Sequence, residues 1–199
     1  MRWLIHLAAV WLLATYSAQS RAAELIVTNG KLVGATGVLV NGSSYNVSFV
    51  DGTCAALFNG CDQTADFFFQ TPADAQAASQ ALMDQVFVGA YDTTPGLTSG
   101  CATTAASCSV ITPYAYVNST TVSTYRAWNF ATETSDTRGS TNVSPSLNTG
   151  ASTAVTYAVW SIASAAPEPS TWLMMILGFG TVGHSLRRRQ RSAAPLALA

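Results

Sequence analysis

The chain has 199 residues, of which 49% are hydrophobic and 10% charged, and its formal net charge is −1. That value hides an uneven distribution. Segment 23–166 carries three basic and nine acidic residues, so three minus nine gives a net charge of −6, while four arginines cluster near the C-terminus. An acidic segment with scattered cations lacks the basic patch that nucleic-acid binding requires, which excludes nucleic acid as an expected partner.

Residues 1–22 have the three parts of a secretory signal peptide. Arg2 supplies the positive charge, 3–14 is an apolar run, and Ser20 and Ala22 are small residues at the two positions that signal peptidase recognises. The apolar run is shorter than the ~20 residues that a membrane-spanning helix needs. We therefore expect export by the general secretion machinery and cleavage after Ala22 by signal peptidase.

Segment 25–50 shows the alternation of apolar and polar residues that is typical of strands. Asn41-Gly42 is a strong signal for a two-residue type I′ turn, so we predict a hairpin with strands near 31–40 and 44–51. Further strands are predicted at 110–116, 122–130 and 155–162. Segment 131–150 is rich in Thr, Ser and Asn and is expected to be an exposed, mobile loop.

One helix is predicted after residue 71. Thr71 is a suitable N-cap, Pro72 fits the first helical position, and Asp74 lies three residues after the cap. The apolar positions at helical spacing are Ala75, Ala78, Leu82 and Val86, and Gly89 is expected to end the helix. Strands outnumber helices, so we predict an α+β fold, mainly antiparallel β with one packed helix, in a single secreted domain over 23–165.

The four cysteines all lie in the part of the chain that is expected to be exported. They are Cys54, Cys61, Cys101 and Cys108, two pairs with the same gap. Four cysteines allow three disulfide connectivities, and the equal gaps favour Cys54–Cys61 and Cys101–Cys108 in an oxidising compartment. A zinc site is not expected, because it needs closer cysteine spacing or histidine ligands, and 23–166 contains no histidine.

The same lack of histidine removes Ser-His-Asp and Cys-His catalysis from this segment. We therefore expect no enzyme activity, no catalytic residue, no cofactor and no metal. Two other interpretations stay open. Asp62 and Asp66 could be the acid pair of a glycosidase or weak calcium ligands, although such acids are more often structural. An aromatic platform for sugar binding could form from Tyr91, Tyr114, Tyr116, Tyr125 and Trp128.

Three features follow one another at the C-terminus: a proline-containing motif, an apolar run with glycines, and a basic stop. The residues are Pro167, Glu168, Pro169, Trp172, Gly178, Gly180, Gly183, Arg187, Arg188, Arg189 and Arg191. The glycines spell G-x-G-x-x-G, but the strand and the acidic residue of a dinucleotide site are missing, so close helix packing explains them better. We predict a single transmembrane helix over 171–186, with the arginines on the cytoplasmic side.

This order of features closely resembles the PEP-CTERM sorting signal of Gram-negative bacteria, over residues 166–191, with 192–199 as a further tail. The resemblance implies recognition and processing by exosortase, a membrane protease. It also implies an inner-membrane intermediate held by the C-terminal helix, and then a location on the outer surface or outside the cell. The function expected from it is a non-enzymatic surface or matrix protein of the biofilm, with exopolysaccharide as a partner. The alternative is a secreted carbohydrate-binding or carbohydrate-acting protein that uses the same export route.

Overall fold

The structure is a computed structural model that describes residues 22–132, 136–163 and 169–191. The chain divides into two compact units, one ending at Ala163 and the other beginning at Ser164. Most of the predicted signal peptide, both Pro167 and Glu168, and the tail 192–199 lie outside the described residues.

The first unit is built on a seven-stranded sheet with the order β1-β2-β3-β7-β4-β5-β6. Its strands are β1 Glu24–Thr28, β2 Lys31–Val40, β3 Ser43–Val50, β4 Ser107–Asn118, β5 Thr121–Phe130, β6 Thr137–Val143 and β7 Val155–Ile162. Neighbouring strands are antiparallel except β4 and β7, which run parallel where Ser109–Ile111 meets Val155–Tyr157. The predicted mostly-β class with one main helix is therefore confirmed, whereas the parallel pair was not predicted.

The described residues form four α-helices, of which the second is the main helix of the first unit. They are α1 Cys54–Leu57, α2 Pro72–Gln85, α3 Ala90–Thr93 and α4 Pro169–Arg191. Short 3₁₀ turns occupy Thr64–Asp66, Pro95–Leu97 and Thr149–Ala151.

The β2–β3 hairpin forms as predicted. Val40 pairs with Ser43 across a two-residue turn. Asn41 and Gly42 have φ angles of 50° and 80°. Positive φ at both turn positions is the type I′ geometry, which asparagine and glycine adopt more readily than other residues.

Helix α2 also begins where the sequence predicted. The Oγ1 atom of Thr71 accepts a hydrogen bond from the backbone N–H of Asp74 at 3.2 Å and donates one to its carboxylate at 2.7 Å. The helix ends at Gln85, before Gly89, which instead precedes α3. The Gln85 side chain bonds both the N–H and the C=O of Leu39 at 2.9 Å, which holds the end of α2 against β2.

Each face of the sheet carries its own buried cluster. We call the side covered by α2 the helix face; its cluster includes Val47, Leu82, Val110, Ala158 and Trp160. We call the other side the opposite face; its cluster is Cys54, Phe58, Cys61, Phe67, Ile111, Val122 and Tyr157. Successive residues of β7 enter different clusters, as the alternation of side chains along a strand requires.

Two strands were missed by the sequence analysis. Strand β6 lies within 131–150, so the prediction of a loop was wrong for Thr137–Val143, which pairs in regular register with β5. Its polar side chains give no apolar alternation, but threonine fits an edge strand well. Strand β1, at the other edge, pairs with β2 around a bulge between Ile26 and Val27.

Helix α4 corrects the prediction of a transmembrane helix over 171–186. None of the helices in the described ranges is both long enough and apolar enough to cross a bilayer. The physical reason lies in composition and length: the segment contains three glycines, Thr181 and His184. Sixteen residues at about 1.5 Å each span about 24 Å, less than the ~30 Å of hydrocarbon in a bilayer.

Candidate functional site

All four cysteines are joined in disulfide bonds, which confirms the prediction of disulfides. Cys54 is bonded to Cys61 and Cys101 to Cys108, with Cα–Cα distances of 5.7 and 5.9 Å. The first bond lies in the opposite-face cluster and the second in the helix-face cluster. The two disulfides therefore hold loops against the opposite-face cluster and the helix-face cluster.

The one lysine of the chain has a structural role. The ammonium group of Lys31 donates hydrogen bonds to the carbonyl of Gly96 and to that of Cys101, the latter at 2.9 Å. The carbonyls belong to the loop that leads into the second disulfide. This cation is thus used to hold the loop to β2.

Asp66, one member of the predicted acid pair, is a backbone cap. Its carboxylate accepts hydrogen bonds from the N–H groups of Asp62 and Gln63, both at 3.1 Å, and from the Asn59 side chain at 3.4 Å. Desolvation tends to raise the pKa of Asp66, but these hydrogen bonds outweigh it and hold the pKa below its usual value. A carboxyl group with a lowered pKa is a poor proton donor, which weakens the glycosidase interpretation.

No metal centre is evident in the described ranges. They contain no group of three or more His, Cys, Asp or Glu side chains placed to hold a metal ion. Asp62 and Asp66 are brought together through a backbone hydrogen bond and not through a shared ligand position.

A cleft of about 460 Å³ opens where β4 and β7 separate. Their pairing ends at Ile111 and Tyr157. The segment with three phenylalanines crosses between the faces here: Phe67 belongs to the opposite-face cluster, and Phe69 to the helix-face cluster. Among the described residues that line the cleft, Asp66 is the only acid.

The two separating strands remain connected beside this cleft. The indole N–H of Trp160 donates a hydrogen bond to the Oγ1 of Thr112 at 3.1 Å. The ring of Phe69 packs edge-on against Trp160, with 5.4 Å between centroids. Phe68, 39% exposed, lies between its two buried neighbours. The wall of the cleft is therefore made of packed aromatic side chains, and one hydrogen bond links the two separating strands beside it.

The predicted aromatic platform is not formed as a single surface. Tyr91, Tyr114 and Tyr125 pack against the helix-face cluster, and Tyr116 packs against the opposite-face cluster. Trp128 belongs to neither cluster. Because Tyr125 and Trp128 are an odd number of residues apart on one strand, they point to different faces.

A different group forms around Trp128, at alternate positions of β5, and we call it the β5 row: Arg126, Trp128 and Phe130. The guanidinium carbon of Arg126 lies 4.8 Å from the Trp128 ring centroid. The Trp128 and Phe130 centroids are 5.6 Å apart, with 33° between the ring planes. Burial lowers the pKa of Arg126. Trp128 was predicted as part of a different aromatic group, whereas the spacing of two residues between Arg126, Trp128 and Phe130 would have indicated this row.

The described part of the sorting segment is helical. Trp172, the three glycines and Arg187 lie on α4 and are exposed, and Arg188, Arg189 and Arg191 are within its bounds. A Cβ atom added at Gly178, Gly180 or Gly183 would meet nothing within 4 Å. The glycines thus leave open space along this helix.

The family comparison identifies the C-terminal segment. The model of the PEP-CTERM protein-sorting motif matches residues 165–191. The chain thus contains a PEP-CTERM sorting motif, which implies export to the cell surface or the extracellular space and an exosortase as the processing partner. No curated protein and no solved structure matches the chain.

Proposed function

We propose that this protein is a non-enzymatic component of the cell surface or extracellular matrix, associated with exopolysaccharide in a biofilm. The observation that carries the proposal is the sorting motif at 165–191, attached to a disulfide-bonded domain. Such a domain suits an oxidising compartment, where disulfides persist.

The structural roles of the cysteine, lysine and Asp66 side chains in the first unit support a non-enzymatic function. Segment 23–166 has no histidine, its four cysteines are disulfide-bonded, and its lysine holds backbone carbonyls. A glycosidase needs two carboxyl groups roughly 5–10 Å apart across its substrate. Among the described residues that line the cleft beside β4 and β7, Asp66 is the only acid, and it is already used as a cap.

We propose the following export route. The general secretion machinery delivers the chain, signal peptidase removes residues 1–22, and an exosortase then processes the C-terminal segment at the inner membrane. The large apolar side chains from Trp172 to Val182 are exposed on α4 and supply an apolar surface for contact with the membrane or the enzyme.

Deletion of residues 167–191 tests this route. The shortened chain should be released into the medium or remain in the periplasm, whereas deletion of 192–199, the matched control, should leave location and processing unchanged. Location and mass are measured by cell fractionation and intact-mass spectrometry. If the 167–191 deletion has the location and mass of the parent, the sorting proposal is wrong.

A finer test replaces Pro167, Glu168 and Pro169 by alanine. We expect full-length protein that stays with the cells and still ends in the arginine segment. Trimming as efficient as that of the parent would reduce the motif to a spacer.

Matrix association is tested separately. The protein should be extracted together with the exopolysaccharide of its own cells, and a wash that removes the polymer should remove the protein as well. Recovery of all the protein in a polymer-free fraction would contradict the matrix role. The purified protein should also produce no new reducing ends from that polymer, since their appearance would favour the carbohydrate-acting alternative.

Carbohydrate binding without catalysis is a second candidate function, and one observation favours it. The β5 row presents two aromatic rings and a guanidinium group side by side outside both buried clusters. Aromatic faces with a few oriented polar groups are the usual components of ligand sites.

A further inference from the structure

We propose that the β5 row, Arg126, Trp128 and Phe130, binds an acidic polysaccharide in which the carboxylates are widely spaced. This site depends on the proposed association with exopolysaccharide, in which these three residues contact the polymer. Arg126 holds the carboxylate, and the two rings pack against the sugar next to it.

The strand geometry places all three side chains on the opposite face. Arg126 pairs with Ile111, a member of the opposite-face cluster, and Val122 enters that cluster four residues earlier on β5. Residues at alternate positions of a strand share a face. The row therefore continues the opposite face beyond its buried cluster, and its three side chains are partly exposed.

Arg126 differs from Lys31 and Arg138, the other two basic residues of segment 23–166. Lys31 bonds two carbonyls, and the Nε of Arg138 donates to Gln80. Within the described ranges, Arg126 has a ring contact with Trp128 but no hydrogen bond and no ion pair. A partly desolvated guanidinium with unused N–H donors is ready to bind an anion, and its planar fork matches the two oxygens of a carboxylate.

Space for a ligand exists directly beside this group. Gly139 of β6 is the residue paired with Arg126. A Cβ atom added at Gly139 would meet nothing within 4 Å. The edge strand thus leaves an open notch next to the guanidinium, at a position where a larger side chain would fill it.

The charge of the first unit restricts the ligand. Segment 23–166 has a net charge of −6, from three basic and nine acidic residues, which repels a polymer with a carboxylate on every sugar. Screening reduces this repulsion beyond a Debye length of about 8 Å at physiological ionic strength. A polymer with distant carboxylates presents one charge to Arg126 while its other charges remain screened. Neutral sugars between the carboxylates are free to pack on Trp128 and Phe130.

The test uses the protein in its secreted, processed form with intact disulfides, and measures binding by affinity electrophoresis in polymer-containing gels. The probes are gellan, whose carboxylates are widely spaced, gellan with its carboxylates reduced to alcohols, alginate, which has one on every sugar, and dextran, which is neutral. We expect the strongest retardation in gellan, with weaker retardation in each of the other three.

The variants distinguish the effect of this site on gellan binding from the effect of the protein's overall charge. Arg126→Gln and Arg138→Gln remove the same charge from opposite sides of the β5–β6 pair. Arg126→Gln should weaken gellan binding by about tenfold, as the loss of a charged hydrogen bond requires, and Arg138→Gln should leave it unchanged. Trp128→Ala should weaken binding to both gellan and reduced gellan. Gly139→Val should weaken gellan binding by filling the notch, and unchanged thermal unfolding of each variant shows that the fold is intact.

The inference would be overturned by equal gellan binding by Arg126→Gln and the parent, or by equal binding of gellan and reduced gellan by the parent. Absence of gellan binding would overturn it as well. These failures are distinguishable from failure of the proposed function, because co-extraction with the native matrix is measured independently of gellan. If the protein co-extracts with the matrix but Arg126→Gln does not change gellan binding, the proposed function stands and the proposed site is wrong.

Discussion

The two faces of the sheet are covered in different ways. On the helix face, α2 satisfies its own backbone hydrogen bonds and buries Ala75, Ala78 and Leu82. On the opposite face, a four-residue helix, a 3₁₀ turn and Phe67 cover the sheet, and short-range backbone hydrogen bonds hold them, such as those from Phe58 to Cys54 at 2.9 Å and from Phe67 to Thr64 at 3.2 Å. A long helix can cover a sheet by periodicity alone, whereas an irregular cover needs local hydrogen bonds and covalent links.

Those additional links are visible on the opposite face. Asp66 caps the 3₁₀ turn, Thr53 caps α1, and Cys54–Cys61 closes the segment between them. This cover ends before the β5 row, whose side chains remain outside the cluster. The incomplete cover is what leaves Arg126 and Trp128 accessible to a ligand.

The largest expected effect comes from one core substitution on each face. Phe67→Ala and Leu82→Ala remove fully buried side chains, 2% and 0% exposed. Each should lower the free energy of unfolding by about 3–5 kcal/mol, since a cavity adds to the lost transfer energy. Denaturant unfolding under non-reducing conditions measures both. A single shared transition in each variant would show that the faces unfold together, whereas a separate early transition in Phe67→Ala alone would show that the opposite face is an independent unit.

The disulfides provide the next comparison, because they lie on different faces of the sheet and close loops of the same length. Both have a sequence separation of seven. Replacing either pair by alanine should lower the free energy of unfolding by about 2.5 kcal/mol through the entropy of the unfolded chain. A larger loss for Cys54 and Cys61 would indicate that the irregular cover depends on its link beyond this common contribution. Peptide mapping without reductant checks the pairing, and crossed peptides would contradict it.

Local signals made part of this fold predictable. The turn at Asn41-Gly42 and the cap at Thr71 depend on residues next to each other, and both are present as predicted. The β4–β7 parallel pair and β6 depend on distant partners, so neither could be derived from local patterns. Polar side chains at an edge look the same in a strand and in a loop.

The candidate sites were predictable to different degrees. The sorting segment was found from its sequence because its motif is contiguous, and the family model matches 165–191. The sugar-binding hypothesis grouped Trp128 with Tyr125, although strand alternation places these two on different faces. Arg126 was counted only as a scattered cation, and its lack of a partner depends on three-dimensional neighbours.

A smaller difference between the faces should appear in the free energy of unfolding at alkaline pH. Burial raises the pKa of Tyr157, in the opposite-face cluster, to about 12. The folded protein therefore holds this proton more tightly than the unfolded chain, in which the pKa is about 10. The stabilisation is complete below pH 10 and is lost as the pH rises from about 10 to 12. Tyr157→Phe should remove most of this loss in unfolding experiments, and Tyr125→Phe, on the helix face, should retain it because Tyr157 is still present.

The smallest effect compares the two threonine caps, one for the cover of each face. The Oγ1 of Thr71 accepts from the N–H of Asp74 and that of Thr53 from the N–H of Ala56, both at 3.2 Å. Thr71→Ala should lower the free energy of unfolding by about 1 kcal/mol, because it leaves a donor of the long helix unpaired. Thr53→Ala should lower it by about 0.5 kcal/mol, since the exposed N–H of Ala56 can bond water and Cys54–Cys61 still holds α1. Thermal unfolding of both variants measures the difference. A larger loss for Thr53→Ala would mean that the opposite face depends on its local cap more than on its disulfide, and would reverse the order of contributions argued for the two covers.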